Sequence, residues 1–239
     1  MDGNGRWAQR RNRPRVFGHI RGASRISAVV READRLGVKA LTLYAFSTEN
    51  WTRPEDEKSV LWKLLIKFLK KEETELARQN VRLRVIGEVD RLSAEVRASL
   101  DPAIARLSKN TGLQLTFAVS YGSRREILRA AEAFARDCRE GRRDPAELEG
   151  KNAESVFASY LWTGDLAELA DVDLVVRTSG EVRVSNFLLW QSAYAEYTFI
   201  EKCWPDFTPD DLRQAVETYT SRDRRFGGVQ PSASVSATN

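Results

Sequence analysis

Val38-Lys-Ala-Leu-Thr-Leu-Tyr-Ala-Phe46, followed at once by Ser47-Thr-Glu-Asn-Trp-Thr-Arg-Pro54, sets the reading of the whole chain. The first nine residues form a short apolar run rich in strand-forming types, which predicts a buried strand. The next eight are polar with aromatic punctuation and predict a loop. Over 55–79 the period changes. Val60, Leu61, Leu64, Leu65, Phe68 and Leu69 recur three and four residues apart between Lys and Glu, the pattern of an amphipathic helix.

The alternation continues outward. Strands are expected over 81–86, 113–119 and 172–176, with a short fifth over 197–200. Helices are expected over 93–107, 124–139 and 210–219, the last opened by the cap signal Thr208-Pro209. This rhythm predicts an α/β fold, a mostly parallel central sheet flanked by helices. Ligands of such sheets sit beyond the carboxyl ends of the strands. Functional residues are therefore expected over 46–53, 120–125 and 177–185.

The 239 residues fit one large domain, taken as 1–228, with a Ser- and Ala-rich tail over 229–239 expected to be disordered. Cys138 and Cys203 are far apart, and His19 is the single histidine, which argues against a zinc site and against a disulfide framework. No run reaches the roughly 18 apolar residues of a membrane span, and no signal-peptide core is seen, so a cytoplasmic protein with at most peripheral membrane contact is expected. The net charge of +4 is uneven: residues 1–25 hold seven arginines and one acid, Asp2. Such a run reads either as a solvated or nucleic-acid-binding arm or, because guanidinium forks grip two oxygens at once, as phosphate recognition.

Four segments carry candidate chemistry. In Asp2-Gly3-Asn4-Gly5-Arg6-Trp7 the glycines let the backbone approach a ligand and Arg6 supplies a cation. Asp2 would repel an anion unless Mg²⁺ bridged the two; the bland alternative is a glycine turn. Arg15-Val-Phe-Gly18-His19 offers an arginine and an imidazole near a helix start. The loop after the first strand offers Ser47, Thr48, Glu49, Asn50, Trp51 and Arg53, read either as a packed loop or as polar fixing beside an apolar wall. Arg177 to Asn186 brings Arg177, Arg183, Val184 and Ser185 between apolar flanks, and Glu196 follows in a setting that asks for a metal or an arginine. Together these suit a ligand with a diphosphate head and an apolar tail.

Ordered segments then resemble one family. MDGNGRWA, LTLYAFSTENWTRP, NVRLRVIG, VDLVVRTSGEVRVSNFLLWQSAYAEY, WPDF and RRFGG are similar to the signatures of the undecaprenyl diphosphate synthase family of cis-prenyltransferases. The resemblance implies a homodimer with a long apolar tunnel, Mg²⁺ as cofactor, and condensation of isopentenyl diphosphate with an allylic diphosphate, usually farnesyl diphosphate. It implies that Gly3, Asn4, Gly5, Arg6, Arg15 and His19 hold the allylic diphosphate. Asp2 would be the main Mg²⁺ ligand, supported by Glu196, and Arg177, Arg183, Val184 and Ser185 would hold isopentenyl diphosphate.

Ser47, Asn50 and Arg53 would line the reacting centre, with Thr48 and Glu49 beside them and Asn50 helping to remove the proton. Trp7, Phe46 and Trp51 would bound the apolar entrance. Gly227, in Arg225-Phe226-Gly227, would complete the neighbouring subunit's site. Ala45, Leu113 and Leu115 match positions at the tunnel's far end, though a core role fits each equally. The paired DDxxD motifs of trans-prenyltransferases are absent: Asp210-Asp211 runs on into Leu-Arg-Gln.

Two departures stand out. Family members usually carry a strand-forming HIAIIMDGNG lead-in, where this chain has only MDGNG; lack of that strand would damage the fold and misplace Asp2. The family's Asn-Tyr-Gly-Gly reads Ser120-Tyr121-Gly122-Ser123, which would alter local loop geometry or product length. The alternatives to an active long-chain synthase are an enzyme with a short or irregular product, a non-catalytic partner subunit, or a nucleic-acid-binding domain. Retention of Asp2, Arg6, His19, Ser47, Arg177, Arg183 and Ser185 argues against the partner subunit.

Overall fold

The computed structural model describes residues 1–222, so the readings of Gly227 and of the tail fall outside the described residues. Within 1–222, five parallel strands lie close to where the hydrophobic runs place them: β1 Ala40–Ser47, β2 Arg82–Ile86, β3 Gln114–Tyr121, β4 Leu174–Thr178 and β5 Glu196–Ile200. They form two ladders rather than one sheet. One has the order β1-β3-β2, the other pairs β4 with β5. Ala40 and Arg82 both register with Gln114, and Leu174 registers with Glu196.

Strand β3 lies between β1 and β2, and every one of its residues is buried. Its central place buries even Gln114, Thr116 and Ser120, which are interleaved with its apolar residues. Strand β1 is mostly half-buried and has one paired edge.

Seven helices surround the strands among the described residues: α1 Asn4–Gln9, α2 Arg15–Arg35, α3 Glu55–Arg78, α4 Ala94–Leu107, α5 Ser123–Arg139, α6 Ala153–Ala158 and α7 Pro209–Thr220. Their ends follow local rules. Pro54 precedes α3, whose first turn carries Glu55, Asp56 and Glu57 against the positive end of the helix dipole. Thr208 and Asp211 form the capping box that opens α7. The apolar stripe of α3 divides in two. Phe68, Leu69 and Leu76 are buried in the core, whereas Leu61, Trp62 and Leu65 are partly exposed toward a cavity.

The concern over Asp2 is answered locally. Asp2 N–H donates to Thr178 Oγ1 (3.0 Å), that hydroxyl lies 3.0 Å from Asp2 O, and Trp204 N–H donates to the same carbonyl (2.9 Å). Asp2 is thus pinned at the carboxyl end of β4. The substitutions in the 120–123 loop are absorbed too. Ser120 Oγ accepts the Trp51 indole N–H (2.9 Å), and Ser123 Oγ accepts Leu189 N–H (2.9 Å).

Candidate active site

Beyond the carboxyl ends of β1 and β4 the candidate residues gather into two linked clusters. The first centres on Asp2. Gly3, at φ 90°, takes a backbone conformation that favours glycine and turns its own N–H onto Asp2 Oδ1 (2.6 Å). Arg177 donates to Asp2 Oδ2 (3.1 Å), and Arg6 lies 3.4 Å from Oδ1. Burial opposes the charge on Asp2, but the Arg177 hydrogen bond, the Gly3 N–H and both arginine charges outweigh it and hold the carboxyl below its ordinary value.

Arg177 also reaches Ser185 Oγ (2.8 Å) and the Arg183 carbonyl. Glu181 bonds both Arg6 and Arg183, so one carboxylate sits where two guanidinium groups converge. The segment holding these groups is bent: Ser179, Ser185, Asn186 and Leu188 all have positive φ without being glycine.

The second cluster centres on Glu57, a residue the motif reading missed. It is buried and accepts from Arg15 Nε (3.1 Å) and Arg53 Nη1 (3.1 Å), and it lies 3.0 Å from His19 Nε2. Burial pushes the His19 imidazole below its ordinary value, against the pull of Glu57. Close helix packing brings the cluster together. A side chain at Gly18 would strike the Asn4 carbonyl at 1.8 Å, and one at Gly5 would strike the Arg15 guanidinium at 2.6 Å.

A cavity of about 350 Å³ touches both clusters. Its polar end presents Asp2, Asn4, Arg6, Arg15, His19, Asn50 and Arg53; its apolar walls include Ile26, Ala45, Phe46, Leu61, Trp62 and Phe68. Asn50 Oδ1 accepts Ser47 N–H (3.2 Å) and so closes the turn that carries the loop.

Several candidates lie elsewhere. Trp7 stacks on Phe17 at 6.0 Å and packs with Ala8 and Cys203, away from the cavity. Trp51 sits behind Phe46, and Trp62 from α3 takes the place at the wall expected of it. Glu49 holds Asn186 (3.1 Å), and Thr48 packs against Gly122. Leu113 and Leu115 are core residues. Ser47, Arg183, Val184 and Ser185 line a second, larger cavity between β1 and β4, which also reaches Asp2.

Glu196 lies apart from Asp2 within one chain. It opens β5 opposite Leu174 and pairs with Arg222 (2.9 Å), whereas Asp2 is fixed to Thr178 at the other end of β4. Four residues of strand, roughly 13 Å at about 3.3 Å per residue, keep the two carboxylates of one chain apart.

The profile of the family described as "Putative undecaprenyl diphosphate synthase" matches residues 1–227. The chain belongs to the undecaprenyl diphosphate synthase family. Named relatives agree. An isoprenyl transferase of Brucella suis is 50% identical over 237 residues, 99% of this chain and 91% of that one. An isoprenyl transferase of Clostridium perfringens is 46% identical over 96% of this chain and 88% of that one.

Among solved structures, lavandulyl diphosphate synthase from Lavandula x intermedia, in complex with dimethylallyl diphosphate, superposes with a TM-score of 0.89 at 32% identity, covering 95% of each chain. A probable undecaprenyl diphosphate synthase from Campylobacter jejuni gives 0.72 at 32% identity, over 87% of this chain and 92% of that one. This member of the family is a prenyl transferase on a mixed α/β fold, and its charged clusters lie at the cavity just described. Among the described residues, no helix is long and apolar enough to cross a membrane.

Proposed function

We propose that the chain condenses isopentenyl diphosphate with an allylic diphosphate, farnesyl diphosphate foremost, to give a cis-polyprenyl diphosphate such as undecaprenyl diphosphate, a cell-wall lipid carrier. One observation carries this reading: an ionised carboxylate, Asp2, is set among Arg6 and Arg177 at the mouth of an apolar cavity.

The donor set fits Mg²⁺. Asp2 is 38% exposed in its side chain, and no group of three or more His, Cys, Asp or Glu gathers among the described residues. Such a site suits a cation completed by substrate phosphate oxygens rather than by a protein cage. Bound Mg²⁺ would supply stabilisation of the charge that develops on the departing diphosphate.

The protein groups do the rest. Arg6, Arg15 and the backbone over 3–5 bind the allylic diphosphate, and neutral His19 offers a hydrogen bond without adding charge. Arg177, Arg183 and Ser185 hold isopentenyl diphosphate. The allylic C–O bond breaks with its electron pair leaving on diphosphate, the isopentenyl double bond forms the new C–C bond, and a proton departs, with Asn50 and Ser47 placed to orient that step. The tail enters the cavity, where each buried CH₂ contributes roughly 0.8 kcal/mol.

The likeness to lavandulyl diphosphate synthase supports a second reading, a short or irregular product. Exposed Val182 and Tyr194, close in sequence to the arginines, support a homodimer. Exposed Phe17 and Ile20 on α2, beside Arg13 and Arg21, support a peripheral contact with the inner face of the plasma membrane. The test is incubation with labelled isopentenyl diphosphate, Mg²⁺ and farnesyl, geranyl or dimethylallyl diphosphate, followed by sizing of the product. Mg²⁺-dependent incorporation is expected, and its length separates the two readings. No incorporation with any starter would overturn both.

A further inference from the structure

Asn186 follows Ser185 directly and meets two other parts of the fold. Its carbonyl accepts Ser123 N–H (2.8 Å), and its side-chain Oδ1 accepts Arg124 N–H (2.9 Å). These are the first two amides of α5, and Gly122, at the N-cap, has no side chain to serve them. One residue therefore caps α5 from outside the helix. The Asn186 Nδ2 donates in turn to Glu49 Oε1 (3.1 Å), in the 3₁₀ turn Thr48–Thr52 that follows β1.

The backbone is shaped for this reach. Ser185 (φ 54°) and Asn186 (φ 60°) take successive left-handed conformations, which asparagine tolerates better than most residues with a side chain. Such backbone persists only where its surroundings hold it, and Asn186 supplies three of those holds. Gly122 leaves the room: a Cβ there would lie 2.7 Å from Asn186 Nδ2 and 2.7 Å from Thr48 Oγ1. The amide thus slots between the start of α5 and the loop after β1.

The two sides that it joins carry different parts of the reaction. On one, Arg177 donates to Ser185 Oγ (2.8 Å) and to the Arg183 carbonyl. On the other, Asn50 Oδ1 accepts Ser47 N–H (3.2 Å) in the turn that contains Glu49.

We propose that Asn186 is a positioning residue for the condensation: it ties the segment of Arg183 and Ser185 to α5 and to the loop of Ser47 and Asn50, and so fixes where isopentenyl diphosphate sits relative to the allylic carbon. The inference rests on the reading that Arg177, Arg183 and Ser185 hold isopentenyl diphosphate. Asn186 acts through Ser185 and Arg183, not on the substrate itself. A displacement of about 1 Å between reacting groups can cost about a hundredfold in rate, so such a tie has leverage.

The test uses the full chain, Mg²⁺ and an allylic starter that the parent chain accepts. Asn186→Gly keeps the left-handed backbone and removes only the side chain. The KM for isopentenyl diphosphate is expected to rise roughly tenfold and kcat to fall severalfold, while the KM for the allylic diphosphate stays within about twofold and the unfolding midpoint near that of the parent. Asn186→Asp keeps an acceptor for Arg124 N–H but sets a carboxylate against Glu49, and the same selective rise is expected. Adding Glu49→Gln to it reverses the polarity of the pair, with the Gln amide donating to the carboxylate. The KM for isopentenyl diphosphate should then return to within about threefold of the parent value. A parent-like KM in both single variants would overturn the proposal and leave the proposed reaction standing. So would equal rises in both KM values, the mark of general loosening, or failure of Glu49→Gln to restore the Asp variant. A parent chain that incorporates no isopentenyl diphosphate would overturn the proposed reaction and this inference with it.

Discussion

Glu57 accepts from two arginines and faces a histidine while itself buried, so its charge holds three residues that arrive from one helix, α2, and the loop before α3. Glu57→Gln keeps the shape and removes the charge that binds Arg15 and Arg53. The expected result is a KM for the allylic diphosphate raised about tenfold to a hundredfold with a smaller change in kcat, read from steady-state kinetics. Asp2 makes the opposite case. Asp2→Ala should lower kcat by about a hundredfold or more while circular dichroism and the unfolding midpoint stay near those of the parent chain. Asp2, Arg6 and Arg177 were legible because an acid and arginines set beside glycines match the needs of a bound anion and its bridging cation. Glu57 was not. It stands third in a row of acids at a helix start, where the dipole accounts for any of them, and its partners lie up to 42 residues away.

The element that carries Arg183 and Ser185 is steadied from beneath by a buried polar group. Glu126 on α5 accepts from Trp162 N–H (2.9 Å) and Gln191 Nε2 (3.2 Å) and bonds the Tyr121 hydroxyl. Burial pushes its carboxyl above the ordinary value despite these donors. Glu126→Gln keeps hydrogen-bonding capacity and should cost about 1 kcal/mol or less, whereas Glu126→Leu strands three partners and should cost about 3 kcal/mol, both measured by urea unfolding. Helix and strand positions were legible to within a few residues because their hydrophobic periods are strong. The loops were not, since Ser120 and Ser123 read as family departures while each in fact satisfies a specific N–H across the fold. The place of Glu196 was hidden for a related reason. Sequence places it in a charged motif, but the direction of β5 carries it to the far end of the ladder.

For the whole molecule, the βα rhythm revealed a parallel α/β fold but not its division into two ladders, because a hydrophobic period reports burial and not which strands pair. The folded state also sets a pH dependence. His19 and, where it is free, the Met1 amine have folded-state values below their ordinary 6.5 and 8.0. Both are bases, so the unfolded chain binds more protons in that range. The Met1 contribution is complete above about pH 8 and is lost as pH falls toward about 6, while that of His19 is complete above about 6.5 and is lost below it. Stability should drop by about 2 kcal/mol between pH 8 and pH 6 in urea titrations, and acetylating the Met1 amine should flatten much of that slope. The apolar wall has a use beyond catalysis. Phe46, Trp51 and Trp62 form a contiguous ring cluster with centroids 4.6 to 5.8 Å apart, and Trp62 faces the smaller cavity while Trp51 does not. A lipid tail entering there would change the surroundings of Trp62 and of Trp204, which lines the same cavity, and spare Trp51, so the protein carries an intrinsic fluorescent gauge of how full its chain-binding space is.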